Sequence, residues 1–100
     1  MASLPAPNAA TGPSVGPVQV RFWASARAAA GTPELTLDPG GEVTLGRLRT
    51  LVVDALPGRP GLARVLETCS VLLGEEPAHD EATPVRPGMA VEFLPPFAGG

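Results

Sequence analysis

The residues best placed to do chemistry are the last seven, Leu94 to Gly100, which read LPPFAGG. Their side chains offer no nucleophile, no base and no metal ligand. The one reactive group is the α-carboxylate of Gly100. Its usual pKa of about 3.3–3.7 keeps it ionised, and a poor electrophile, at neutral pH. It becomes an acyl donor only when activated, for example by adenylation in a partner, after which a nucleophile can displace AMP. A sulfur nucleophile would leave a thiocarboxylate able to carry sulfide to another active site. The approach to that group is stiffened. Pro95 and Pro96 fix φ and donate no N–H, and each pushes the residue before it into extended geometry. A strand must therefore end at Leu94, and the tail, residues 95–100, leaves it straight and reaches about 20 Å. Gly99 and Gly100 have no Cβ, so the tip can thread a slot that admits backbone alone. Two terminal glycines arise by chance in roughly 1 chain in 200 at an average glycine usage of about 7%. The strand and the proline brace that aim them are what make the ending a candidate site.

Other chemistry finds less support. His79 is the only histidine and Cys69 the only cysteine, so no metal cluster and no intrachain disulfide is expected. Cys69 lies in the apolar run TCSVLL and reads as a buried strand cysteine. Ser25, Ser70 and Asp80 form no triad pattern, and neither serine sits in a G-x-S-x-G elbow. Gly40-Gly41 precedes a helix, but no Gly-Lys-Ser/Thr follows, so it reads as a turn. A net charge of −3 and a pI near 4.9 argue against nucleic acid, whose binding is dominated by cationic contacts to phosphate. All seven basic residues are arginine, so the chain has no ε-amine to accept an acyl group.

The tail must be carried by the rest of the 100 residues. Residues 1–16 hold no charged side chain and no apolar periodicity, and read as a disordered leader. They lack the basic and apolar regions of a secretion signal, and no run approaches the roughly 18 apolar residues of a membrane span. The expectation is a cytoplasmic protein with one small domain over residues 17–94. Only Phe22, Trp23, Phe93 and Phe97 are aromatic, so branched aliphatics must supply most of the core.

Residues 17–24 alternate, with Val18, Val20 and Phe22 on one face and Gln19, Arg21 and Trp23 on the other, as in a strand with one buried side. SARAAAG reads as a short helical turn ending at Gly31, and Glu34 to Asp38 as a second strand that pairs with the first. PGG at 39–41 is a turn. Thr44 is a suitable N-cap for a helix whose stripe is Leu45, Leu48, Val52 and Ala55, widened by Leu51 and Leu56. Arg47, Arg49, Thr50 and Asp54 take its solvent side, and Pro57-Gly58 stop it. Gly46 costs that helix about 1 kcal/mol, which packing must offset. Residues 62–66 read as irregular, CSVLL as a third strand, and GEEPAHDEATP as a polar loop with a short edge strand near Ala82 to Val85. Arg86-Pro87-Gly88 is a turn. MAVEFL is the last strand, with Met89, Val91 and Phe93 on one face. This order satisfies an α+β fold, a sheet of four to five strands on one main helix. No repeat of 20–50 residues is visible.

VRFWASARAAAG, TLGRLRTLVVDAL and MAVEFLPPFAGG, over residues 17–100, resemble the MoaD/ThiS family of ubiquitin-like sulfur carriers. The double proline places the likeness nearest the MoaD branch, the small subunit of molybdopterin synthase. The resemblance implies a β-grasp fold, in which the first and last strands lie side by side in parallel. It implies a carrier or co-substrate rather than an enzyme, and no bound cofactor. Gly100 would be adenylated with ATP by an E1-like adenylyltransferase/sulfurtransferase of the MoeB/ThiF type. A larger synthase subunit of the MoaE type would then receive the sulfur. Three features depart from the family pattern: Phe97 where a smaller apolar residue is common, Met89 where an acidic residue often follows the glycine, and a longer, more acidic loop at 74–84.

The expected contacts with partners are made by Pro95, Pro96, Phe97, Ala98 and Gly99. Phe97 reads as a plug for an apolar groove in a partner, because no core lies near it. Trp23 reads either as a packing residue of the second face or as a partner anchor, since tryptophan is enriched at hot spots. Arg47, Arg49 and Arg64 read as a solvated face, and Glu75, Glu76, Asp80 and Glu81 as residues that solubilise a loop. The competing functions are a sulfur carrier for thiamine, cysteine or a specialised metabolite, a protein modifier conjugated to lysines of targets, and a plain binding module.

Overall fold

A computed structural model describes residues 16–96. The leader up to residue 15 and the tip Phe97, Ala98, Gly99 and Gly100 lie outside the described residues.

Alternation drives the first strand, β1 (Val18–Phe22), which buries every second residue. It runs into helix α1 (Ala24–Ala30), ended by Gly31 in the left-handed conformation at φ 78, whose N–H donates to the Arg27 carbonyl. β2 (Glu34–Leu37) returns antiparallel to β1, with Val20 opposite Leu35. After the two-residue β3 (Val43–Thr44) comes the longest helix, α2 (Leu45–Ala55), in which Leu45, Leu48 and Val52 are buried. A second short helix, α3 (Leu62–Thr68), precedes β4 (Ser70–Leu73) and β5 (Glu76–Ala78). β6 (Pro84–Val85) pairs with β3, and β7 (Ala90–Leu94) closes the fold.

The main sheet has the order β2-β1-β7-β4-β5. β1 and β7 are parallel neighbours at its centre, with Val20 opposite Val91 and Phe22 opposite Phe93, and the other pairings are antiparallel. This mixed sheet with helices on one face is the β-grasp arrangement. Val18, Val20, Phe22, Val71, Val91 and Phe93 point from the sheet into the same core as Ala26, Leu45, Leu48, Val52, Leu62 and Leu66. No polar or charged side chain is buried among the described residues. The centre is aromatic: Phe22 and Phe93 stack at 6.1 Å between ring centroids, a spacing worth about 0.5–1.5 kcal/mol beyond area burial.

Several local expectations are corrected. Residues 62–66 are helical; Leu62 and Leu66 are buried and Val65 is half-buried on one side of α3. Cys69 is not a buried strand residue. It caps α3, is half-buried, and its Sγ–H donates to the Val65 carbonyl at 3.2 Å. Ala55 is exposed at the end of α2, so the buried stripe stops at Val52. The strand near Ala82–Val85 forms only at Pro84–Val85 and joins β3 in a separate small sheet. The edge of the main sheet is the unforeseen β5.

The glycine in α2 has a specific cause. The Leu45 N–H donates to the Thr83 carbonyl at 2.8 Å and the Gly46 N–H to the Glu81 carbonyl at 2.9 Å, so the 80s loop satisfies two of the helix's free N-terminal donors. Thr44 Oγ1 accepts from the Arg47 N–H at 3.1 Å and satisfies a third. The loop approaches so closely that a Cβ on Gly46 would stand 3.3 Å from Glu81 Oε1 and 3.5 Å from its carbonyl oxygen.

Candidate functional site

The parallel pairing of β1 and β7 decides where the tail begins. Both strands run in the same direction, so the chain leaves β7 at the end where β1 hands over to α1. The Trp23 N–H donates to the Phe93 carbonyl at 3.2 Å and extends the ladder one step past β1. Leu94 pairs with Ser70 of β4 on the other side. The tail root is thus flanked by Trp23 on one strand and by the start of β4 on the other. Ladder pairing ends at Leu94; Pro95 is half-buried and Pro96 exposed. This is the geometry that two residues without N–H groups require.

Trp23 is the exposed large hydrophobic among the described residues, with 45% of its surface accessible. Its indole is not loose. Nε1–H donates to Glu92 Oε1 at 2.9 Å, which holds the ring across the open face of the sheet beside the root. The backbone is fixed too: the Trp23 carbonyl accepts from Ala26 N–H at 2.9 Å and Arg27 N–H at 3.3 Å. The next residue, Ala24, takes φ 49, a left-handed conformation that costs a residue with a Cβ about 1–2 kcal/mol. The corner that presents Trp23 is therefore held against a local preference by the hydrogen bonds on either side of it. Glu92 was not foreseen as part of this site. Only the long-range pairing of β1 with β7 brings it near Trp23, and nothing in the local pattern of MAVEFL signals it.

Below the root, Phe93 is fully buried and carries Arg49 over its ring, with the guanidinium carbon 5.6 Å from the centroid. Arg49 does not take the solvent side as expected. Its Nε donates to both oxygens of Glu81 at 3.0 and 3.1 Å, and its Nη1 donates to the Leu66 carbonyl. It ties the acidic loop and α3 to the residue beneath the tail. Arg47 and Arg64 are exposed, as a solvated face requires. Glu81, expected only to solubilise the loop, is the ion-pair partner of Arg49.

Cys69 adjoins Ser70 and so lies close to the root, but its environment quiets it. Burial pushes its thiol pKa above the ordinary value, and the Arg49 guanidinium only partly opposes this. The thiolate is the nucleophile, so this sulfur is held in its unreactive form. Among the described residues no group of three or more His, Cys, Asp and Glu side chains could hold a metal ion, and no helix is long and apolar enough to cross a membrane. The structure brings Trp23, Pro95 and Pro96 to one end of the sheet; Phe97, Ala98, Gly99 and Gly100 lie outside the described residues.

A mixed sheet whose last strand lies parallel to its first at the centre, and then runs into Pro95-Pro96, is the arrangement of ubiquitin-like β-grasp proteins. The sequence model of the ThiS family matches residues 20–100, and the chain belongs to that family. No curated protein sequence matches it. Among solved structures it is similar to SAMP1 from Haloferax volcanii, with 24% identity and a TM-score of 0.71 over 85% of this chain and 100% of that one. It is also similar to small archaeal modifier protein 1 from Methanosarcina acetivorans, with 24% identity and a TM-score of 0.65 over 86% and 98%. A third likeness is to the complex of subunits 1 and 2 of the molybdopterin-converting factor of Helicobacter pylori, with 25% identity and a TM-score of 0.58 over 84% of this chain and 99% of the matched chain.

Proposed function

We propose that this chain is a cytoplasmic sulfur carrier that works through the α-carboxylate of Gly100, in the formation of molybdopterin. The observation that carries the reading is the family match, which continues through the tail to residue 100. The carboxylate oxygen attacks the α-phosphate of ATP in an E1-like partner, forming an acyl-adenylate and releasing pyrophosphate. Sulfur at the oxidation level of hydrosulfide then adds to the acyl carbon. AMP leaves with the C–O bond electrons, and the product is a thiocarboxylate. The chain contributes no base or metal to these steps and acts as co-substrate rather than enzyme. Its domain, residues 17–94, presents the tail, and residues 95–100 enter the partner. Phe97 fills an apolar groove there, Ala98 and Gly99 pass the slot, and Trp23 anchors the partner beside the root.

The pathway rests on the likeness to the Helicobacter pylori complex and on the double proline. Growth of a strain lacking the small subunit of molybdopterin synthase tests it. The intact chain restores molybdenum-cofactor activity and the chain without Gly100 does not; failure of both would redirect the carrier to thiamine, cysteine or specialised metabolism. A second reading, a modifier joined to lysines of target proteins, draws on the fold shared with the two archaeal modifier proteins. Covalent adducts recovered from cells under denaturing conditions would favour it.

A further inference from the structure

The two outer strands of the main sheet, β2 and β5, end it in different ways. Hydrogen-bonding groups alternate along an antiparallel pair, so an edge strand turns every second residue outward. The Gly74 N–H donates to the Ala90 carbonyl at 2.8 Å, so Ser70, Leu72 and Gly74 bond toward β7, while Val71 and Leu73 bond toward β5. Pro77, opposite Leu72, is then the outward residue of β5. It has no N–H, which closes that edge to further pairing. On β2 the phase is set by the Phe22 N–H, which donates to the Pro33 carbonyl at 2.9 Å. Leu35 and Leu37 therefore bond to β1, and Glu34 and Thr36 turn outward. Their N–H groups and the Thr36 carbonyl meet no partner among the described residues. The Glu34 carbonyl accepts from Thr32 Oγ1 at 3.0 Å and keeps a second lone pair. Side chains do not cover this edge. Gln19 Nε2 donates to Glu34 Oε1 at 3.3 Å, and Thr36 Oγ1 donates to Gln19 Oε1, so both lean back over β1.

We propose that β2 joins two copies of this chain, edge to edge and antiparallel, across a two-fold axis at Leu35. Outward residues must face outward residues for hydrogen bonds to form, which leaves axes at Glu34, Leu35 or Thr36. An axis at Glu34 sets Glu34 against itself, and one at Thr36 sets Glu34 against Asp38. Both oppose like charges, which destabilises a cross-strand pair. The axis at Leu35 instead sets Glu34 against Thr36 twice, and Leu35 against its own copy. Each Glu34–Thr36 pair exchanges two hydrogen bonds, and the half-buried Leu35 side chains meet at the closely spaced position without hydrogen bonds. Because Pro77 closes β5, the pairing stops at two copies and does not run on into a fibre. β1 stands between this edge and β7, so the tail root stays clear of the contact. The contact spans four residues a side, against roughly 20–30 in a standard interface, so the association is weak.

Sedimentation velocity of the full chain, from about 20 µM to about 1 mM, tests the idea. The parent should pass from monomer toward dimer, and over the same range the Glu34 and Thr36 amides should become protected from hydrogen exchange. Thr36→Pro removes an outward donor without touching the ladder to β1, and should stay folded and monomeric. Two further variants read the register. Thr36→Glu sets like charges against Glu34 of the second copy and should weaken the dimer about fivefold, while Thr36→Arg should tighten it by a similar factor. A parent that stays monomeric, a Thr36→Pro protein that still associates, or a Thr36→Arg protein that associates less would overturn the proposal. So would protection of both amides in a monomer, which would assign the edge to residues 1–15 of the same chain.

Discussion

Trp23→Ala separates presentation of the tail from stability of the domain. The indole is 45% exposed; of the ~250 Å² that a tryptophan can bury, ~110 Å² is still available to a partner. At about 25 cal/mol per Å² that area is worth up to ~2.8 kcal/mol on docking, or about 100-fold in affinity. The part already covered is somewhat larger, ~140 Å², so the variant also loses up to ~3.5 kcal/mol of folding stability, an upper bound because unfolded chains are partly compact. The two losses are separable. Pyrophosphate exchange with the cognate activating enzyme is measured at a temperature where circular dichroism shows the variant folded. The expected result is a KM raised about 30–100-fold with kcat changed little, since the proposed role of the indole is to bind the partner and not to act on the reacting carboxylate. Glu92→Ala keeps the indole but frees it from its 2.9 Å hydrogen bond, so it should raise KM less, by about 3–10-fold. A folded Trp23→Ala protein with unchanged KM would refute the role of Trp23 as anchor.

Three further outcomes are expected. Phe97→Asp should melt with the parent protein and lose adenylation, because a charge replaces the apolar plug; an unchanged adenylation rate refutes that role. Arg49→Ala removes an ion pair, a bond to the Leu66 carbonyl and a contact with the Phe93 ring, and should cost about 1–3 kcal/mol, a drop of roughly 5–20 °C in Tm by calorimetry. The raised thiol pKa of Cys69 means that alkylation at pH 8 should be slower in the native than in the denatured chain. It also means that the thiol's contribution to stability is full below the unfolded pKa and is lost as pH rises through the folded one, so alkaline melting should flatten in Cys69→Ala; equal alkylation rates would contradict the burial.

The strands and helix that form the centre were legible because their patterns are local and long enough to repeat. β1 and β7 alternate cleanly, and α2 carries Leu45, Leu48 and Val52 behind a threonine cap. α3 was missed although Leu62, Val65 and Leu66 have helical spacing, because seven residues give the pattern too little room to repeat beside Pro60 and Gly61. β5 reads Glu-Pro-Ala and buries only Ala78, so pairing with β4, not hydrophobicity, makes it a strand. Arg49 looked like a solvent residue because its partners, Glu81, Leu66 and Phe93, lie far off in sequence and converge only in the fold. The same holds for Glu92 at Trp23, 69 residues away. The proline brace and the two glycines were legible because backbone chemistry alone dictates what they permit.

The central claim is that the chain functions through the carboxyl group of Gly100. Intact mass spectrometry after incubation with the activating enzyme, ATP and a sulfur source tests it most directly. The parent chain should gain the mass of one oxygen-to-sulfur exchange, and a chain extended by one alanine beyond Gly100 should gain nothing. A parent chain that stays unchanged, or an extended chain that gains the same mass, would contradict the account.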